Sequence, residues 1–396
     1  LGALHGVPIG IKDLLFTAGI PTASGTRVMA DFVPDFDATV VTRLKEAGAV
    51  IIGKTQLTEG ALGAHHPDIQ APLNPWNRDH FPGVSSSGSG VAVAAGLAYG
   101  ALGSDTGGSI RFPCASCGLV GMKPTYGRVS RYGAFALAQS LDHIGPMTRT
   151  VEDAARLLSV IAGRDSNDTT TLVDTPPNYA AMLSGGLDGL NIGVDWQYVS
   201  RGADQAVVSV IREVLKVFRQ LGARVTEVAM PSAYERLVRE WAVTCGKECA
   251  AAHAAYYPAR KSEYGPSLAA MIDMGREVND PQYQALEEQR RIFRAAFDDL
   301  LKQVDVFIAP CMPSLPPTLK KMGEILDSAE GTADFLTFTA PFNYSGHPTL
   351  ILPAGLSGGG LPESFQLVGR YLGEPTLFRA GSAFEQAIGL DDRPIA

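Results

Sequence analysis

Short apolar runs alternate with helical patterns along much of this chain. Residues 190–194 are strand-like, residues 203–221 place apolar side chains at helical spacing, and residues 224–228 are strand-like again after Gly222. A strand, a helix and a second strand in this order are typical of parallel strands joined by a crossover helix. The pattern therefore predicts an α/β fold around a mixed β-sheet, with helices on both of its faces.

Similar units occur along the rest of the chain. Residues 37–48 predict a helix that ends at a glycine, and residues 49–53 predict the strand that follows. Residues 304–309 and 349–352 predict two further buried strands, each closed by a proline. The apolar run over residues 91–102 predicts a buried helix, because about 20 residues would be needed to cross a membrane.

Composition narrows the class of protein. The 396 residues contain 33 basic and 41 acidic side chains, a net charge of −8, which argues against nucleic acid as a partner. Five cysteines, an odd number in a long chain, favour free thiols and a cytoplasmic location. Neither close cysteine pair has the second ligand pair of a zinc site, so no metal and no cofactor are expected, and no membrane segment is predicted.

No repeat, charge block or long linker divides the chain, so residues 1–396 are predicted to form one domain. Within it, residues 196–303 are expected to form a mostly helical insertion that covers the sheet, with residues 232–303 the most helical and highly charged. The first residue is Leu1 and residues 1–10 lack the charged region that begins a signal peptide, so the chain is expected to begin inside a longer protein.

Two loops rich in glycine and serine, residues 82–90 and 103–111, are the candidates for chemistry. Small residues before a helix leave backbone N–H groups accessible, which suits an anion or an oxyanion. The simpler interpretation is a serine N-cap on a buried helix. Neither loop has a P-loop ending or a dinucleotide fingerprint, and there is no G-x-S-x-G elbow, so a catalytic base would have to come from elsewhere.

Lys12 is the candidate base, because it follows a mostly apolar run near the start of the chain. The alternative is a surface lysine whose stem packs on apolar neighbours. With this segment, three motifs resemble the amidase signature family: G-V-P-x-x-x-K-D at residues 6–13, the serine loop at 82–90, and G-S-D-T-G-G-S-I-R-F-P at 103–113. The segments 117–128, 140–147, 341–348 and 361–369 are also similar, so the resemblance extends over the whole chain.

The resemblance implies an amidase-signature fold and a Ser-cisSer-Lys triad. Ser109 would be the nucleophile, Ser85 the cis-serine that relays its proton and Lys12 the base, with the 24-residue spacing of the two serines as in the family. Burial would have to lower the pKa of Lys12 by about 3 units for it to act near pH 7. The implied intermediate is an acyl-enzyme, which water then hydrolyses.

The same resemblance implies supporting roles for other residues of the two loops. Ser86 and Ser104 are expected to hydrogen bond around the triad. Asp105 and Arg111 are expected to brace residues 103–111, the nucleophile loop, as an ion pair. The oxyanion hole would be formed by the backbone N–H groups of four consecutive residues, Thr106, Gly107, Gly108 and Ser109.

The substrate is less narrowly defined. Val84 and Ser87 stand where glycine is usual, and the serine-rich loop is similar to that of carbamate and allophanate hydrolases. Residues 125–133 lean toward the A subunits of tRNA-dependent amidotransferases, but Leu336 and Thr337 stand where glutamine-handling members carry an acidic residue. The prediction is a free-standing hydrolase of small amides, and also of esters and carbamates, with those two classes as alternatives and a homodimer allowed.

Two parts of the chain are expected to line the substrate pocket, residues 132–137 and 232–274. Four large side chains in the second part are candidates for an apolar pocket or for ordinary core, namely Trp241, Tyr256, Met271 and Met274. An inert scaffold is a further alternative, which the presence of Lys12, Ser85 and Ser109 argues against.

Overall fold

A computed structural model describes residues 1–389, which are organised around one large β-sheet. Ten strands lie in this part of the chain: β1 Pro8–Lys12, β2 Val50–Thr55, β3 Gly100–Asp105, β4 Val120–Lys123, β5 His143–Thr148, β6 Asn191–Val194, β7 Arg224–Glu227, β8 Val306–Ala309, β9 Thr349–Leu356 and β10 Pro362–Gly369. Their spatial order is β2-β1-β3-β5-β4-β9-β10-β8-β6-β7.

The sheet is mixed, as predicted. Strand β1 is parallel to β2 and β3, and β6 is parallel to β7 and β8, whereas the central strands pair antiparallel. The parallel register of β1 with β3 places the C-terminal ends of both strands at the same edge. Residues that follow β1 and β3 along the chain therefore meet at this edge.

Helices cover both faces of the sheet. They are α1 Thr39–Glu46, α2 Ser87–Ala94, α3 Arg111–Cys117, α4 Val151–Ile161, α5 Trp196–Val199, α6 Gln205–Gln220, α7 Tyr234–Arg239, α8 Trp241–Ala252, α9 Tyr257–Arg260, α10 Pro266–Glu277, α11 Asp280–Leu300, α12 Leu319–Leu326, α13 Ala329–Leu336, α14 Ala340–Ser345 and α15 Glu374–Ile388. Helices α1, α4, α6 and α15 form one layer, while α2 and α3 pack together on the other side of the strands.

Most predicted elements are confirmed, including the unit formed by β6, α6 and β7 and the run of helices from α7 to α11. The prediction of one buried helix over residues 91–102 is wrong. Helix α2 ends at Ala94, Gly96 adopts φ 74°, and β3 begins at Gly100, because this left-handed conformation stops a helix and suits glycine. Pro353 does not close β9 either, since the strand continues to Leu356.

The five cysteines are all buried free thiols. Among residues 1–389, no group of three or more His, Cys, Asp or Glu side chains is arranged to hold a metal ion. No helix in the same part of the chain combines the length and the apolar character needed to span a bilayer.

Candidate active site

Lys12 ends β1, and its side chain is fully buried within a ring of three serine hydroxyls. Its Nζ lies 2.8 Å from Ser85 Oγ, 2.7 Å from Ser86 Oγ and 2.8 Å from Ser104 Oγ. Ser104 belongs to β3, the parallel neighbour of β1, and the other two serines precede α2. The sheet edge therefore brings together three segments that are separated by up to 92 positions along the chain.

Burial changes the charge state of this lysine. Removal of the ammonium group from water lowers the pKa of Lys12 from 10.5 to about 7, although the negative charges of Asp105 and Asp142 act in the opposite direction. A lysine with this pKa is substantially neutral near pH 7, and its nitrogen then carries a lone pair that can accept a proton.

The hydrogen bonds around Lys12 restrict which hydroxyl can supply that proton. Ser86 Oγ donates to the Ser104 carbonyl at 3.1 Å, so toward Nζ it acts as an acceptor. Ser85 Oγ has no other hydrogen-bond partner among residues 1–389, and its own proton is free to point at the lone pair. Ser85 and Ser104 are the two hydroxyls able to donate to neutral Lys12.

The loop that carries Ser85 lies against the loop that carries Ser109. The peptide bond between Val84 and Ser85 is cis, and the Ser86 N–H donates to the Ser109 carbonyl at 3.3 Å. Ser109 Oγ makes no hydrogen bond within the described residues, so the structure brings the two loops together without linking the hydroxyls of Ser85 and Ser109. Ser109 remains 8% exposed, whereas Ser85 is fully buried. Catalytic hydrogen bonds are often long before substrate binds.

The Asp105 carboxylate holds the nucleophile loop in place through hydrogen bonds and an ion pair. Its carboxylate accepts from the N–H groups of Gly108 at 2.9 Å and Ile110 at 3.0 Å, and from Arg111 Nε at 3.0 Å and Nη2 at 2.9 Å. Burial alone would raise the pKa of Asp105, but the ion pair and hydrogen bonds with Arg111, together with Asn343, hold it below its usual range. The expected ion pair of Asp105 and Arg111 is present, and both partners are fully buried.

One predicted member of the oxyanion hole is already occupied. The Gly108 N–H donates to Asp105, so in this structure it is not available to a substrate oxygen. The N–H groups of Gly107 and Ser109 make no hydrogen bond within residues 1–389. Gly108 adopts φ 138°, and a Cβ on it would lie 2.4 Å from the Phe112 ring, so glycine is required at this turn.

Two distant residues fix the carbonyl groups of the same loop. Trp241 Nε1, at the start of α8, donates to the Thr106 carbonyl at 3.3 Å, and Thr339 Oγ1 donates to the Gly107 carbonyl at 2.5 Å. In a trans peptide the N–H points away from the carbonyl, so these bonds also set the direction of the Gly107 and Gly108 N–H groups. The sequence offers no local signal for either contact, because the partners are 135 and 232 positions apart.

A small pocket opens next to the lysine. Ser104 and Asp142 border it on the side of the lysine and the nucleophile loop, Arg131 and Gln139 are its other polar residues, and the rest of the wall is apolar: Leu14, Ala61, Ala134, Phe135, Ala136, Leu137 and Ile144. Asp142 accepts from Thr106 Oγ1 at 2.6 Å, so the wall and the nucleophile loop are joined directly.

The expected pocket walls are only partly found. Residues 134–137 line the cavity, as predicted for 132–137. Met271 and Met274 instead pack against Gly246 where α8 meets α10, and Tyr256 packs at the edge of the core. Trp241 contacts the nucleophile loop but is not part of the cavity wall.

Comparisons with known proteins identify the relatives of this chain. The family model described as Amidase matches residues 1–378. AmiD of Mycobacterium tuberculosis strain H37Rv, an amidase by name, is 47% identical over 99% of this chain and 82% of its own length. The A subunit of glutamyl-tRNA(Gln) amidotransferase from Exiguobacterium sibiricum is 39% identical over 98% of this chain and 85% of its own length.

Solved structures show the same fold. A 6-aminohexanoate cyclic dimer hydrolase superposes with a TM-score of 0.89 at 28% identity, over 98% of this chain and 86% of the other. The A subunit of glutamyl-tRNA(Gln) amidotransferase from Thermotoga maritima superposes with a TM-score of 0.82 at 34% identity, over 96% of this chain and 84% of the other. The family match, the relatives and the shared fold together establish that this chain belongs to the amidase signature family.

Proposed function

We propose that this chain is a serine hydrolase of linear amides that acts through Ser109, Ser85 and Lys12. The observation that carries the proposal is the fully buried Lys12 amine, whose pKa is lowered to about 7 and whose Nζ lies 2.8 Å from the Ser85 hydroxyl. A neutral amine beside a hydroxyl with no other partner is the arrangement that a general base requires.

The proton path follows from these contacts. Neutral Lys12 takes the proton of Ser85 while Ser85 takes the proton of Ser109, and the Ser109 oxygen forms a bond to the amide carbon. The carbonyl oxygen becomes an oxyanion, which the free N–H groups of Gly107 and Ser109 stabilise. Each such donor lowers the barrier by about 3 kcal/mol.

Collapse of this intermediate completes the first half of the reaction. The carbon–nitrogen bond breaks, the leaving nitrogen receives the proton returned through Lys12 and Ser85, and an ester of Ser109 remains. Water then attacks this ester with the same base, which releases the carboxylic acid and restores the Ser109 hydroxyl.

Two observations favour a free-standing amidase over the A subunit of an amidotransferase. AmiD is 47% identical to this chain, compared with 39% for the E. sibiricum protein. Leu336 and Thr337 supply no acidic group at the position where glutamine-handling members are expected to carry one.

Carbamate hydrolysis is the second candidate, and the serines at 85–87 support it. The same nucleophile and oxyanion donors would attack a carbamate carbonyl, since the developing charge is on the same oxygen. The two candidates differ in the leaving group and in the acyl oxygen, so substrate comparison distinguishes them.

The test is turnover of a p-nitroanilide, an aryl carbamate, glutamine and allophanate by the wild type and by Ser109→Ala. Anilide hydrolysis that is lost in the variant, together with stoichiometric labelling of the wild type by a fluorophosphonate, is the expected result. Turnover of glutamine alone would favour the A subunit of an amidotransferase. An absence of both turnover and labelling would contradict the proposal that this chain is a serine hydrolase.

A further inference from the structure

We propose that Asp142 is a positioning residue, which holds Thr106 and the peptide that follows it in the orientation that binds the oxyanion. The inference deepens the proposed function and rests on it, because it takes Ser109 as the nucleophile and the Gly107 N–H as an oxyanion donor. Asp142 makes no hydrogen bond to Ser109 or to Lys12 within residues 1–389. It therefore acts on the reaction through Thr106.

The pairing of β3 with β5 places Asp142 and Thr106 opposite each other. The two strands are antiparallel, and Asp105 lies opposite His143. Thr106 follows Asp105 along the chain and Asp142 precedes His143, so the two residues lie side by side at one edge of the sheet. Thr106 Oγ1 donates to Asp142 Oδ1 at 2.6 Å, a distance typical of a hydroxyl bound to a carboxylate.

Backbone N–H groups hold the Asp142 carboxylate in place. The Leu137 N–H donates to Oδ2 at 3.0 Å, and the Ala138 N–H lies 3.2 Å from Oδ1 and 3.3 Å from Oδ2. The Asp142 N–H donates back to the Ala138 carbonyl at 2.8 Å. A side chain that is fixed by such bonds holds its own partner, Thr106, in a defined position.

Thr106 connects this carboxylate to the oxyanion donor. Its carbonyl accepts from Trp241 Nε1 at 3.3 Å, and a Cβ on Gly107 would lie 3.2 Å from the same indole ring. The Thr106 carbonyl and the Gly107 N–H belong to one planar peptide, so they turn together. With the side chain bound to Asp142 and the carbonyl bound to Trp241, this peptide cannot rotate without breaking a hydrogen bond.

The charge of Asp142 adds an effect that a purely structural contact would lack. Among residues 1–389 no ion pair joins Asp142 to a basic side chain, whereas Asp105 is paired with Arg111. Burial raises the pKa of Asp142 to about 6, although the hydrogen bond from Thr106 and the positive charge of Arg131 act in the opposite direction. The carboxylate is therefore ionised at and above neutral pH.

This charge reaches the catalytic base. Ser104, which lies 2.8 Å from Lys12 Nζ, borders the same small pocket as Asp142. Burial lowers the pKa of Lys12, and the negative charge of Asp142 is among the effects that raise it. Cys245 and Cys249 of α8 are also close to Asp142, but burial raises the pKa of both thiols and keeps them neutral. Removal of the Asp142 charge should therefore lower the pKa of Lys12.

The rate at which a fluorophosphonate labels Ser109 tests both effects without a known substrate, because the phosphoryl oxygen needs the same donors and the attack needs the same base. Thr106→Val removes the hydrogen bond and leaves the charge. It should slow labelling above pH 8 about tenfold, a part of the effect of losing one oxyanion donor. Thr106→Ser keeps the hydroxyl and should restore the rate.

Asp142→Asn removes the charge and should move the fall in rate at low pH, which follows the pKa of Lys12, to lower pH by about half a unit. Thr106→Val should leave the position of this fall unchanged. Because Asp142 acts through Thr106, Asp142→Asn should slow the rate above pH 8 no further when it is added to Thr106→Val.

Thr39 and Asp165 provide matched controls. Thr39 Oγ1 donates to Asp165, whose other oxygen accepts from the Asn167 N–H at 2.9 Å, so the chemistry is the same outside the nucleophile loop. Thr39→Val and Asp165→Asn should change neither the labelling rate nor its pH dependence.

Three results would each overturn the inference: an unchanged rate in Thr106→Val, additive losses in the double variant, or a pH dependence in Asp142→Asn that stays in place or moves to higher pH. If Asp142→Asn does not fold, the comparison of Thr106→Val with Thr106→Ser still decides. Absence of labelling in the wild type contradicts the hydrolase itself, so the two failures are distinguishable.

Discussion

Two lysines lie fully buried in the same sheet, Lys12 at the end of β1 and Lys123 at the end of β4. Burial lowers the pKa of both, to about 7 for Lys12 and well below 10.5 for Lys123. Their neighbours differ in kind. Three hydroxyls surround Lys12, whereas the one hydrogen bond of Lys123 within residues 1–389 goes to the Pro124 carbonyl at 3.2 Å.

This difference shows that burial alone does not make a base. A hydroxyl can give a proton to a neutral amine, but a carbonyl oxygen can only accept one. Lys123 is also close to the positive charge of Arg111, which lowers its pKa further, while Asp105 and Glu374 act in the opposite direction. The supply of protons distinguishes the two sites, and four measurements test that distinction.

The largest effect is expected from a matched pair of substitutions. Lys12→Met should reduce kcat/KM by about a thousandfold, because a positioned general base contributes on this order. Lys123→Met removes a buried amine of the same size and should stay within about tenfold of the wild type, since it takes part in no proton transfer. Steady-state kinetics on a p-nitroanilide measure both. Equal losses of kcat/KM in two folded variants would contradict the different roles of the two lysines.

A smaller loss is expected when one hydroxyl of the Lys12 ring is removed. Ser85→Ala removes the donor that faces the lysine lone pair and should lower kcat by about a hundredfold. Ser86→Ala removes an acceptor and should lower kcat by about tenfold, because the Ser86 hydroxyl already donates its hydrogen bond to the Ser104 carbonyl. If Ser86→Ala lost more activity than Ser85→Ala in single-turnover assays, the assignment of Ser85 as the proton donor to Lys12 would be wrong.

The pH dependence should follow Lys12 and not Lys123. Because the base must be neutral, kcat/KM is expected to fall about tenfold for each pH unit below the Lys12 pKa of about 7 and to level off above it. Lys123→Met should leave the position of this limb unchanged. A shift of the limb by a whole pH unit in that variant would show that the two lysines are coupled.

The smallest effect is thermodynamic and applies to both lysines. Each has a folded pKa below its unfolded value near 10.5, so the unfolded chain binds more protons and the free energy of unfolding rises with pH between these values. Replacing either lysine by methionine should reduce this slope by about 1.4 kcal/mol per pH unit. Urea unfolding of the wild type and both variants at pH 7.5 and 9.5 measures the change. An unchanged slope for one variant would mean that its lysine is charged in the folded state.

Much of the fold follows from the sequence, because strands and helices are set by local patterns. Helix α6 between β6 and β7 is an example, with apolar residues at helical spacing and Gly222 after its end. The error at residues 91–102 has a local cause that the apolar pattern concealed. Gly96 adopts a positive φ and divides one apolar run into the end of α2 and the start of β3.

The residues around Lys12 are predictable only from their resemblance to known motifs, and their geometry is not. Helical or strand periodicity says nothing about which hydroxyl of residues 85–87 approaches Nζ, since the answer depends on the pairing of β1 with β3. The motif places the Gly108 N–H in the oxyanion hole, but this group bonds to Asp105. Such contacts depend on long-range packing, which a single sequence does not record.

The bonds from Trp241 and Thr339 to consecutive carbonyls of the nucleophile loop have a consequence for recombination between relatives. A chimera that exchanges residues 232–303 would replace not only the outer helices but also a donor that orients the Gly107 peptide. Successful crossovers should therefore retain an indole, or another N–H donor, at position 241. A chimera can therefore exchange the outer helices and keep the orientation of the Gly107 peptide only if position 241 still supplies such a donor.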